Sequence, residues 1–438
     1  TGFALDPAAI TGFAPLLHWV LHAGREALRE AGHLGLAPRR TGLVLGTLAH
    51  PTDAAMRYAE HVWTAAQHPA VRDALLRQAP APPGPLNRFC TGLPALLAAR
   101  ALDLDSGAFT LDAACASALY AVKLACDRLH DRTADLMLAG AVNGADSLLV
   151  HGGFAAVSAL SPTGRSRPFH RDADGLVPAE GAAIVALMRL ADALAAGRPV
   201  LAVIRGVGLG NDGRGTGFLT PDPAGQERAM RLAYARAGIA PETVGLLECH
   251  ATGTPVGDAA EIASSGRVFA GHCGLPIGSV KSNLGHLLAP AGAAGLLKAV
   301  DALRGGVRPP TLGAEDPTAD LRGQPLRLLT EAEEWERGAG PRRAAVSAFG
   351  FGGDNAHLIV EEWPDGTAAA PPPPPPPGDP LARQPLAVVA LAVRAGRDGG
   401  TGEFSAAVLG GQPEPPSRPE AGGVTSSGLP RRVPKANL

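Results

Sequence analysis

Apolar residues follow two spacings along this chain, one typical of helices and one typical of strands, and the two alternate. Leu16–Ala31 keeps its leucines on one side of a predicted helix, and the apolar run Gly42–Gly46 then predicts a strand. Gly107–Leu111 predicts a second strand, which turns at an elbow around Cys115 into a helix whose apolar residues recur every three or four positions. Two more strands are predicted at Leu136–Gly140 and Gly181–Leu187.

A second alternating series begins near Leu201. Strands that alternate with helices predict an α/β fold with parallel-rich sheets covered by helices, and the two series predict two similar halves, residues 1–190 and 191–366. The second series consists of predicted strands at Leu201–Val207, Val244–Cys249, Pro276–Val280, Ala344–Ser347 and His357–Val360, and predicted helices at Gly225–Ala237, Ala259–Phe269 and Ala291–Leu303.

A proline-rich stretch follows these two halves. Residues 367–384 contain the unbroken run Pro371–Pro377, which predicts a stiff, extended linker because proline supplies no backbone donor. Residues 385–438 hold one strand-like run, Leu386–Val393, and are otherwise rich in turn-forming residues and proline. This last segment is too poor in apolar residues to fold alone.

Charge and cysteine content narrow the possible functions. Among the 438 residues, Lys and Arg number 39 and Asp and Glu 41, for a net charge of −2, so no strong field attracts nucleic acid or an anionic membrane. No apolar run reaches the length of a membrane span. The five cysteines form no CxxC pair, which favours neither a disulfide framework nor a zinc knuckle and fits a reducing cytoplasm.

The first segment with a chemical signal is LDAACASAL at 111–119, where small residues surround Cys115 as a strand gives way to a helix. Unpaired N–H groups and the helix dipole at such a position favour the thiolate over the thiol, which is what a nucleophile requires. Taken alone, a cysteine of this kind is more commonly a small buried residue, and Cys126, farther along the same helix, fits that description.

Two further segments carry histidines just after predicted strands. The sequence ECHATGTPVGD at 248–258 places His250 at the carboxyl end of a strand, with Thr252 and Thr254 able to hydrogen-bond a ligand. The sequence IGSVKSNLGH at 277–286 adds Lys281 and His286. For either histidine alone, a structural role is the more common interpretation.

The conjunction of these residues favours catalysis. One elbow cysteine and two loop histidines all come where an α/β sheet presents its catalytic edge, and together they can hold a thiolate and donate to a developing oxyanion. Acyl transfer followed by carbon–carbon bond formation needs both. Zinc binding is the alternative, but Cys249 and His250 point to opposite sides of an extended chain and the usual ligand spacings do not occur, so we expect no metal.

A glycine-rich segment, SAFGFGGDNAH at 347–357, lies between two predicted strands. Its exposed N–H groups would form half of an oxyanion hole, and a simple hairpin turn is the alternative. It lacks the strand-to-helix context of a dinucleotide or phosphate-binding loop, which disfavours nucleotide chemistry. The loop Ser161–Gly175 is either a phosphate site or an ordinary solvated loop; its basic residues are Arg165, Arg167, His170 and Arg171.

These segments together resemble the β-ketoacyl synthase, or ketosynthase, family of condensing enzymes over residues 12–363. The wording DAACAS around the cysteine is similar to multidomain polyketide and polyunsaturated-fatty-acid synthases. The resemblance implies a thiolase-like α/β fold in which two duplicated βαβαβ halves form a layered αβαβα architecture. The matching motifs are the elbow at Cys115, the block HATGT from His250, KSNLGH ending at His286, GFGGDNAH ending at His357, SRPFHRDADG at 166–175 and the pair Glu180-Gly181.

The resemblance also implies catalytic roles. Cys115 would accept an acyl chain from the phosphopantetheine thiol of an acyl carrier protein. His250 and His286 would promote decarboxylation of a malonyl extender, whose carbanion attacks the acyl-cysteine thioester. Lys281 would support the histidines, together with Glu261. A histidine at position 286 is informative because starter-type relatives have asparagine there and thiolases a cysteine.

Binding groups and partners follow from the same resemblance. The backbone amides of Cys115 and Phe351, with Gly352 in support, would bind the thioester oxygen. No metal and no tightly bound cofactor are implied, since substrates arrive on the phosphopantetheine of the carrier protein. The implied partners are that carrier, other domains of a multienzyme synthase and a second copy in a homodimer, without nucleic acid or membrane. The groups expected to hold the pantetheine arm or the substrate are Thr252, Thr254 and Phe349.

The chain departs from the family pattern in three places. Ala251 stands where glycine is usual and Asp354 where threonine is usual. The family's opening strand is absent before Thr1, yet the run from Leu386 to Arg394 resembles it. Either a second, truncated module begins after the linker, or the last segment completes its own sheet as a circular permutation; we expect completion, because a missing strand would leave an unpaired edge.

Two other functions compete with an elongating ketosynthase. A non-elongating domain would bind an acyl carrier and transfer or hold the chain, or serve as a partner subunit. Chain-length-factor relatives lack the cysteine, so Cys115 counts against a bare partner role. Hydrolysis through a serine is disfavoured because the sequence has no GxSxG elbow.

Overall fold

The computed structural model describes residues 2–33, 37–48, 91–144, 148–215, 219–338 and 340–363, with the short pieces 52, 55–58, 61, 69 and 217. All of them belong to the first of the two units into which the chain divides, Thr1–Ala368. The predicted linker at 367–384 and the segment 385–438, with its strand at Leu386–Val393, lie outside the described residues. Cys90 lies outside them as well.

The described helices and strands alternate along most of the chain. The helices are α1 Pro7–Thr11, α2 Pro15–Glu30, α3 Leu93–Leu102, α4 Ser117–His130, α5 Leu148–Ala156, α6 Leu190–Ala195, α7 Pro223–Ala237, α8 Pro255–Val268, α9 Lys281–Leu284 and α10 Ala291–Gly305. The strands are β1 Thr41–Gly46, β2 Ala108–Leu111, β3 Leu136–Asn143, β4 Gly181–Leu187, β5 Ala202–Asn211, β6 Leu246–Glu248, β7 Leu275–Gly278, β8 Val307–Arg308, β9 Leu326–Leu328, β10 Glu333–Glu334, β11 Arg343–Phe349 and β12 Asp354–Glu362.

The first half forms a four-stranded sheet in the order β2-β1-β3-β4. β1 runs parallel to both neighbours, and Gly46 pairs with Leu111 on one side and Ala141 on the other, so the three strands end at one edge. β4 closes the sheet antiparallel to β3. The chain that leaves β2 at this edge is the elbow that carries Cys115.

The second half forms a six-stranded sheet in the order β5-β12-β11-β6-β7-β9. β11, β6, β7 and β9 are parallel, while β12 and β5 are antiparallel additions. Glu248, the last residue of β6, pairs with Val346 and Gly278, which sets the carboxyl ends of the three central strands side by side. His250 follows β6, Lys281 follows β7 and the glycine-rich turn follows β11.

Alternating side chains divide the interior into layers. In β1, Leu43 and Leu45 belong to a core shared with α2 and α3, while Val44 belongs to a second core shared with α4 and α10. The same second core includes Val346 of β11, whereas Ala345 belongs to a third core with α7 and α8. Helices therefore lie outside each sheet and between the two sheets, which gives five layers in the order αβαβα.

The predicted α/β class and layered architecture are confirmed, with differences in detail. The halves differ in size, with four described strands in one sheet and six in the other, because β5 and β12 add an antiparallel edge to the second. The predicted strand Val244–Cys249 ends at Glu248, and the predicted helix Ala259–Phe269 starts earlier, at Pro255, because proline suits the first helical turn. This earlier start places Asp258 on α8, the helix that also carries Glu261.

Within the described part of the chain, no helix has the combined length and apolar content needed to cross a membrane.

Candidate active site

The elbow that carries Cys115 is a short, strained turn. The chain passes from β2 through a 3₁₀ turn at Ala114–Ala116 into α4, and Ala114 adopts a positive φ of 49° although it has a Cβ. The Ser117 hydroxyl accepts the N–H of Ala113 at 2.9 Å and donates to the carbonyl of Ala114 at 2.7 Å. Backbone strain of this kind persists only where surrounding contacts impose it.

The sulfur itself lies in a small apolar pocket. Cys115 is buried together with Val150 and Leu288, and Leu48 and Phe154 pack against this group. Burial raises the pKa of the Cys115 thiol to about 11, although the Lys281 ammonium and the N–H groups of Phe351 and Cys115 act in the opposite direction. The helix start therefore does not by itself make the resting sulfur anionic, which corrects that expectation from the sequence.

His286 contacts this sulfur directly. Its Nε2 lies 3.1 Å from Cys115 Sγ, and its Nδ1 accepts the N–H of Leu288 at 3.3 Å. A neutral imidazole that accepts at Nδ1 carries its proton on Nε2, so the ring donates to the sulfur. The backbone of His286 is fixed on both sides, because its N–H donates to Val177 and its carbonyl accepts from Ala179. Burial and the nearby Lys281 charge hold the pKa of His286 well below its usual range, which keeps the ring neutral.

His250 approaches from the other histidine loop. The two imidazole rings lie 5.3 Å apart edge to face, and the ring of Phe349 packs 5.9 Å from His250. Among the described residues, His250 Nδ1 is buried and has no hydrogen-bond partner. Burial and the charge of Lys281 lower the pKa of His250 well below its usual range, so a neutral nitrogen is available to a ligand.

The three predicted residues form one cluster. Cys115 Sγ and one nitrogen each of His250 and His286 lie within 4.8 Å of one another. Cysteine and histidine atoms at such distances also occur in metal sites. Here the Leu288 N–H occupies Nδ1 of His286 and leaves the proton on the Nε2 that faces the sulfur, so this nitrogen has no free lone pair for a metal.

A buried carboxylate fixes the backbone of His250. Glu261, on α8, accepts the N–H of His250 at 2.8 Å and the N–H of Ala251 at 2.7 Å. Burial raises its pKa to about 7, and these two hydrogen bonds together with the charge of Lys281 act to lower it. Glu261 therefore supports His250 through the backbone, and it reaches Lys281 through charge.

Lys281 lies buried between acidic groups at the start of α9. It is 3% exposed, and burial lowers its pKa, while the charges of Glu248, Glu261 and Cys115 raise it. Its backbone carbonyl accepts the hydroxyl of Ser166 at 2.6 Å. The ammonium thus lies in the field of the sulfur and of two carboxylates, close to where charge changes in acyl transfer.

The glycine-rich turn presses against the cysteine elbow. A Cβ on Gly350 would lie 2.7 Å from the carbonyl oxygen of Ala113 and 3.3 Å from the nitrogen of Cys115, so only glycine fits this contact. The N–H of Phe351 reaches Cys115 Sγ, and the half-exposed Phe351 ring packs 5.8 Å from Phe154. Gly352 follows with a φ of +92°. The two amides predicted for the oxyanion hole therefore lie at the same sulfur.

The two predicted threonines lie together at the edge of the cluster. Thr252 and Thr254 place their hydroxyl oxygens 3.0 Å apart. Asp258 orders this loop, because one oxygen accepts the N–H groups of Thr252 and Gly253 at 3.1 and 3.2 Å and the other accepts the N–H of Phe169 at 2.8 Å. Burial raises the pKa of Asp258 to about 6.

Sequence reasoning did not single out three charged residues that form hydrogen bonds around the site: Asp258, Glu248 and Lys298. Glu248 accepts the N–H of Val280 at 2.6 Å and the Lys298 ammonium at 2.6 Å. A signal existed for Asp258, since it lies in the first helical turn after the histidine block, where a carboxylate pairs with free backbone donors. No spacing in the sequence links Glu248 to Lys298, which lies 50 residues away.

The remaining candidates have structural partners. In the loop 161–175, Arg167 pairs with Asp174 at 3.2 Å and Arg171 with Asp316 at 3.3 Å, so carboxylates engage both guanidinium groups. Of the two departures from the family pattern, Asp354 accepts from the side chain of Asn211 at 3.2 Å. Ala251 is buried, and its N–H donates to Glu261.

Comparison with known proteins places this cluster in context. The sequence profile described as Beta-ketoacyl synthase, N-terminal domain, matches residues 2–193, and that described as Beta-ketoacyl synthase, C-terminal domain, matches residues 201–315. A phenolphthiocerol/phthiocerol polyketide synthase protein of Mycobacterium tuberculosis is 37% identical over 378 residues, which is 84% of this chain and 16% of that protein. The polyketide synthase GfsA of Streptomyces halstedii is 41% identical over 291 residues, 65% of this chain and 4% of that protein.

Solved structures agree with the sequence comparisons. The PfaC Keto synthase-Chain length factor is 38% identical with a TM-score of 0.77, covering 83% of this chain and 40% of that one. The ketosynthase from module 6 of the bacillaene synthase from Bacillus subtilis is 30% identical with a TM-score of 0.70, covering 82% of this chain and 60% of that one. The chain thus spans only a small part of the polyketide synthases that it matches.

Proposed function

This chain belongs to the β-ketoacyl synthase family, and we propose that it catalyses decarboxylative Claisen condensation of a carrier-bound malonyl extender with an acyl chain held on Cys115. Its five-layer α/β fold is the thiolase-like fold of the ketosynthases that it resembles. The observation that carries the proposal is the cluster in which Cys115 Sγ and a nitrogen of each of His250 and His286 lie within 4.8 Å. A thiol with two neutral imidazoles supplies both a nucleophile and hydrogen-bond donors.

The first half-reaction is transfer of the acyl chain to the sulfur. Cys115 attacks the thioester carbonyl of the acyl carrier, the carbon–sulfur bond to the phosphopantetheine breaks, and the carrier thiol leaves with a proton. The Nε2–H of His286, 3.1 Å from Sγ, and the Lys281 charge favour the thiolate against the effect of burial. The amides of Cys115 and Phe351, with Gly352 in the turn, stabilise the oxyanion.

The second half-reaction forms the carbon–carbon bond. The neutral rings of His250 and His286 hydrogen-bond the malonyl thioester oxygen as carbon dioxide leaves, which stabilises the enolate. The extender carbon attacks the acyl-cysteine carbonyl, the bond to Sγ breaks, and the product leaves as a β-ketoacyl carrier. The sulfur regains a proton, as its raised pKa favours. Thr252, Thr254 and Phe349 hold the pantetheine arm and substrate during both steps.

Partners and setting form a second part of the proposal. The substrates are borne on an acyl carrier protein within a polyketide or polyunsaturated-fatty-acid synthase, where the chain works beside other domains. β2 lies at the edge of its described sheet, directly before the elbow. An edge strand can pair with a strand of a second copy of the chain, which supports a homodimer. The four described cysteines are free, which suits a reducing cytoplasm.

The deciding experiment mixes the protein with an acyl carrier and a malonyl carrier. We expect an acyl adduct on Cys115 in the absence of extender, and release of carbon dioxide with formation of a β-ketoacyl carrier when the extender is added. Intact-protein and carrier mass spectrometry would measure both. A matched reaction with Cys115 alkylated beforehand by iodoacetamide serves as the control and should show no acyl adduct.

The same assay separates the alternative function. Acylation of Cys115 without release of carbon dioxide would favour a non-elongating domain that transfers or holds the chain. Absence of acylation would reject both functions. Gel filtration with light scattering would test the homodimer.

A further inference from the structure

A buried ion pair behind the histidines has no part in the chemistry described above. Glu248 ends β6, and Lys298 projects from α10; their charged atoms lie 2.6 Å apart, with the side chains 2% and 11% exposed. Burying two charges is unfavourable unless further hydrogen bonds satisfy them. The second Glu248 oxygen is satisfied by the N–H of Val280, directly before Lys281, at 2.6 Å.

The surrounding chain leaves space for this pair. A Cβ on Gly295, one turn before Lys298 on α10, would lie 3.0 Å from Cγ of Glu248. A Cβ on Gly278, at the end of β7, would lie 3.4 Å from the Lys298 ammonium. The glycine at position 295 therefore leaves room for the Glu248 side chain, whereas the distance at Gly278 is an ordinary van der Waals contact with the Lys298 ammonium.

The Glu248–Lys298 pair connects the two chain segments that carry His250 and His286. Glu248 lies two residues before His250, its hydrogen-bond partner Val280 lies beside Lys281, and Lys298 lies on the helix that follows His286. Two more hydrogen bonds run between the same loops: Ser279 donates its hydroxyl to the carbonyl of Ala251 at 2.9 Å, and the N–H of Cys249 donates to Gly278 at 2.8 Å. The hydrogen bonds of the elbow described above come from Ser117 and not from this pair.

We propose that Glu248 and Lys298 are positioning residues that hold the Lys281–His286 segment against His250 and so support decarboxylation and condensation more than acylation of Cys115. This inference rests on the proposed function for its kinetic consequence. The Lys298 ammonium partly neutralises the negative charge of Glu248. It therefore weakens the electrostatic effect of Glu248 on Lys281.

Several titratable groups face Lys281, and their charges contribute to the pKa of Lys281 that a pH profile would reflect. Cys115 comes from the elbow, Asp258 and Glu261 from α8, and Glu248, Cys249, His250 and His286 from the histidine loops. Removing Lys298 exposes Lys281 to the full Glu248 charge and raises its pKa. Removing the Glu248 charge lowers the pKa of Lys281. A purely structural loosening would not shift the two variants in opposite directions.

The test compares Lys298→Met, Lys298→Arg and Glu248→Gln with wild type in the two half-reactions. For Lys298→Met we expect condensation to fall about tenfold with acylation changed less than about threefold, and Lys298→Arg to restore most of the loss. The alkaline limb of the condensation profile should move to higher pH in Lys298→Met and to lower pH in Glu248→Gln. Shifts in one direction, no shift, or equal loss of both half-reactions would overturn the inference.

A control and a second readout keep this test independent of the proposed function. Arg343→Met removes one partner from another partly buried pair, Arg343 with Glu361 at 2.6 Å, at the end of β11 away from Phe349; its side chains are 18% and 12% exposed, and Glu361 keeps its pair with Arg205. It should reproduce any loss of thermal stability without the change in kinetics. Hydrogen exchange should rise at residues 279–286 in Lys298→Met and not in Arg343→Met; unchanged exchange would overturn the positioning role. Wild type that fails to condense would count against the proposed function, and hydrogen exchange would still decide this inference.

Discussion

The cysteine elbow and the histidine loops meet at one site but are held there by different forces. The elbow depends on close packing and local hydrogen bonds: Ser117 bridges Ala113 and Ala114, and Gly350 lets the neighbouring turn press against them. The histidine loops depend on buried charge, since the carboxylates of Glu261 and Glu248 accept backbone N–H groups from both loops. Nucleophile placement is therefore mainly steric, whereas placement of the histidines is mainly electrostatic.

The pKa values of the two regions respond to burial in opposite senses, because a thiol is charged when it is deprotonated and an imidazole is charged when it is protonated. Burial raises the pKa of the Cys115 thiol and lowers those of His250 and His286, and in each case it favours the neutral form. The charge that remains in the site is carried by Lys281 and the carboxylates around it. Substitutions in the elbow should then act on acylation, and substitutions among the carboxylates on decarboxylation and on pH dependence.

The largest expected effect is loss of the nucleophile. Cys115→Ala removes the acyl acceptor, so we expect adduct formation to fall by about a thousandfold or more, as measured by intact mass after incubation with an acyl carrier. Cys126→Ala, which changes a partly buried cysteine in the middle of α4, is the matched control and should acylate like wild type. A stable acyl adduct on the Cys115→Ala protein would contradict the assignment of the nucleophile.

The next largest effect is expected for Glu261, which holds the loop of His250. Glu261→Gln keeps the shape of the side chain but replaces one acceptor of the His250 and Ala251 N–H groups with a donor. We expect condensation to fall about 10- to 100-fold while acylation changes only a few fold. A loss of acylation equal to the loss of condensation would erase the contrast between the two regions.

Glu261 also predicts how stability depends on pH. In the folded protein, burial raises the pKa of Glu261 from 4.5 to about 7. The stabilisation of the folded state that follows from this shift is therefore fully present below pH 4.5 and is lost as the pH rises through 7. The amount is on the order of 3 kcal/mol. Glu261→Gln lacks this titration, so its urea-unfolding free energy should vary less between pH 4.5 and 7.5 than that of wild type. A steeper decline in the variant would reverse the sign and reject the argument.

A substitution in the glycine-rich turn tests the close packing of this turn against the cysteine elbow. Gly350→Ala places a Cβ 2.7 Å from the Ala113 carbonyl oxygen and should push the turn off the elbow, lowering the acylation rate about tenfold. Gly352→Ala meets no atom within 4 Å and suffers only from its positive φ, so it should lose about 1–2 kcal/mol of stability with a smaller effect on rate. Stopped-flow acylation and thermal unfolding would separate the two. Equal acylation rates would show that contact with the elbow is unimportant.

The smallest expected effect lies at the threonine pair. Thr254→Val removes a hydroxyl that lies 3.0 Å from that of Thr252, and we expect KM for the carrier-bound substrate to rise about 3- to 10-fold with kcat nearly unchanged. Thr243→Val, whose hydroxyl only donates to the carbonyl of Ala240, is the control and should leave KM unchanged. A fall in kcat with constant KM would move Thr254 from substrate binding to chemistry.

Much of the architecture could be predicted from periodicity, but element ends and partners could not. The strand at Gly181–Leu187 was predicted with the bounds that the structure has, because its apolar run is flanked by clear changes in composition. The helix that starts at Pro255 was predicted four residues too late, since its first turn, PVGD, holds a proline and a glycine and lacks the apolar spacing of the rest of the helix. The effect of burial on Cys115, which acts against the thiolate expected at a helix start, could not be predicted because it depends on residues such as Val150 and Leu288 that are distant in sequence.

The sequence by itself determined the order of strands and helices, and with it the rule that loops after parallel strands share one edge. That rule, together with the motifs, was enough to bring Cys115, His250 and His286 into one hypothesis. Only the tertiary structure decided that Lys298 pairs with Glu248, that Leu288 sets the proton position on His286, and that burial neutralises the sulfur. The ion pair and the burial depend on contacts between remote residues and on exclusion of water, and the hydrogen bond from Leu288 to His286, two residues away, depends on the local backbone conformation; the spacing of apolar residues encodes none of these.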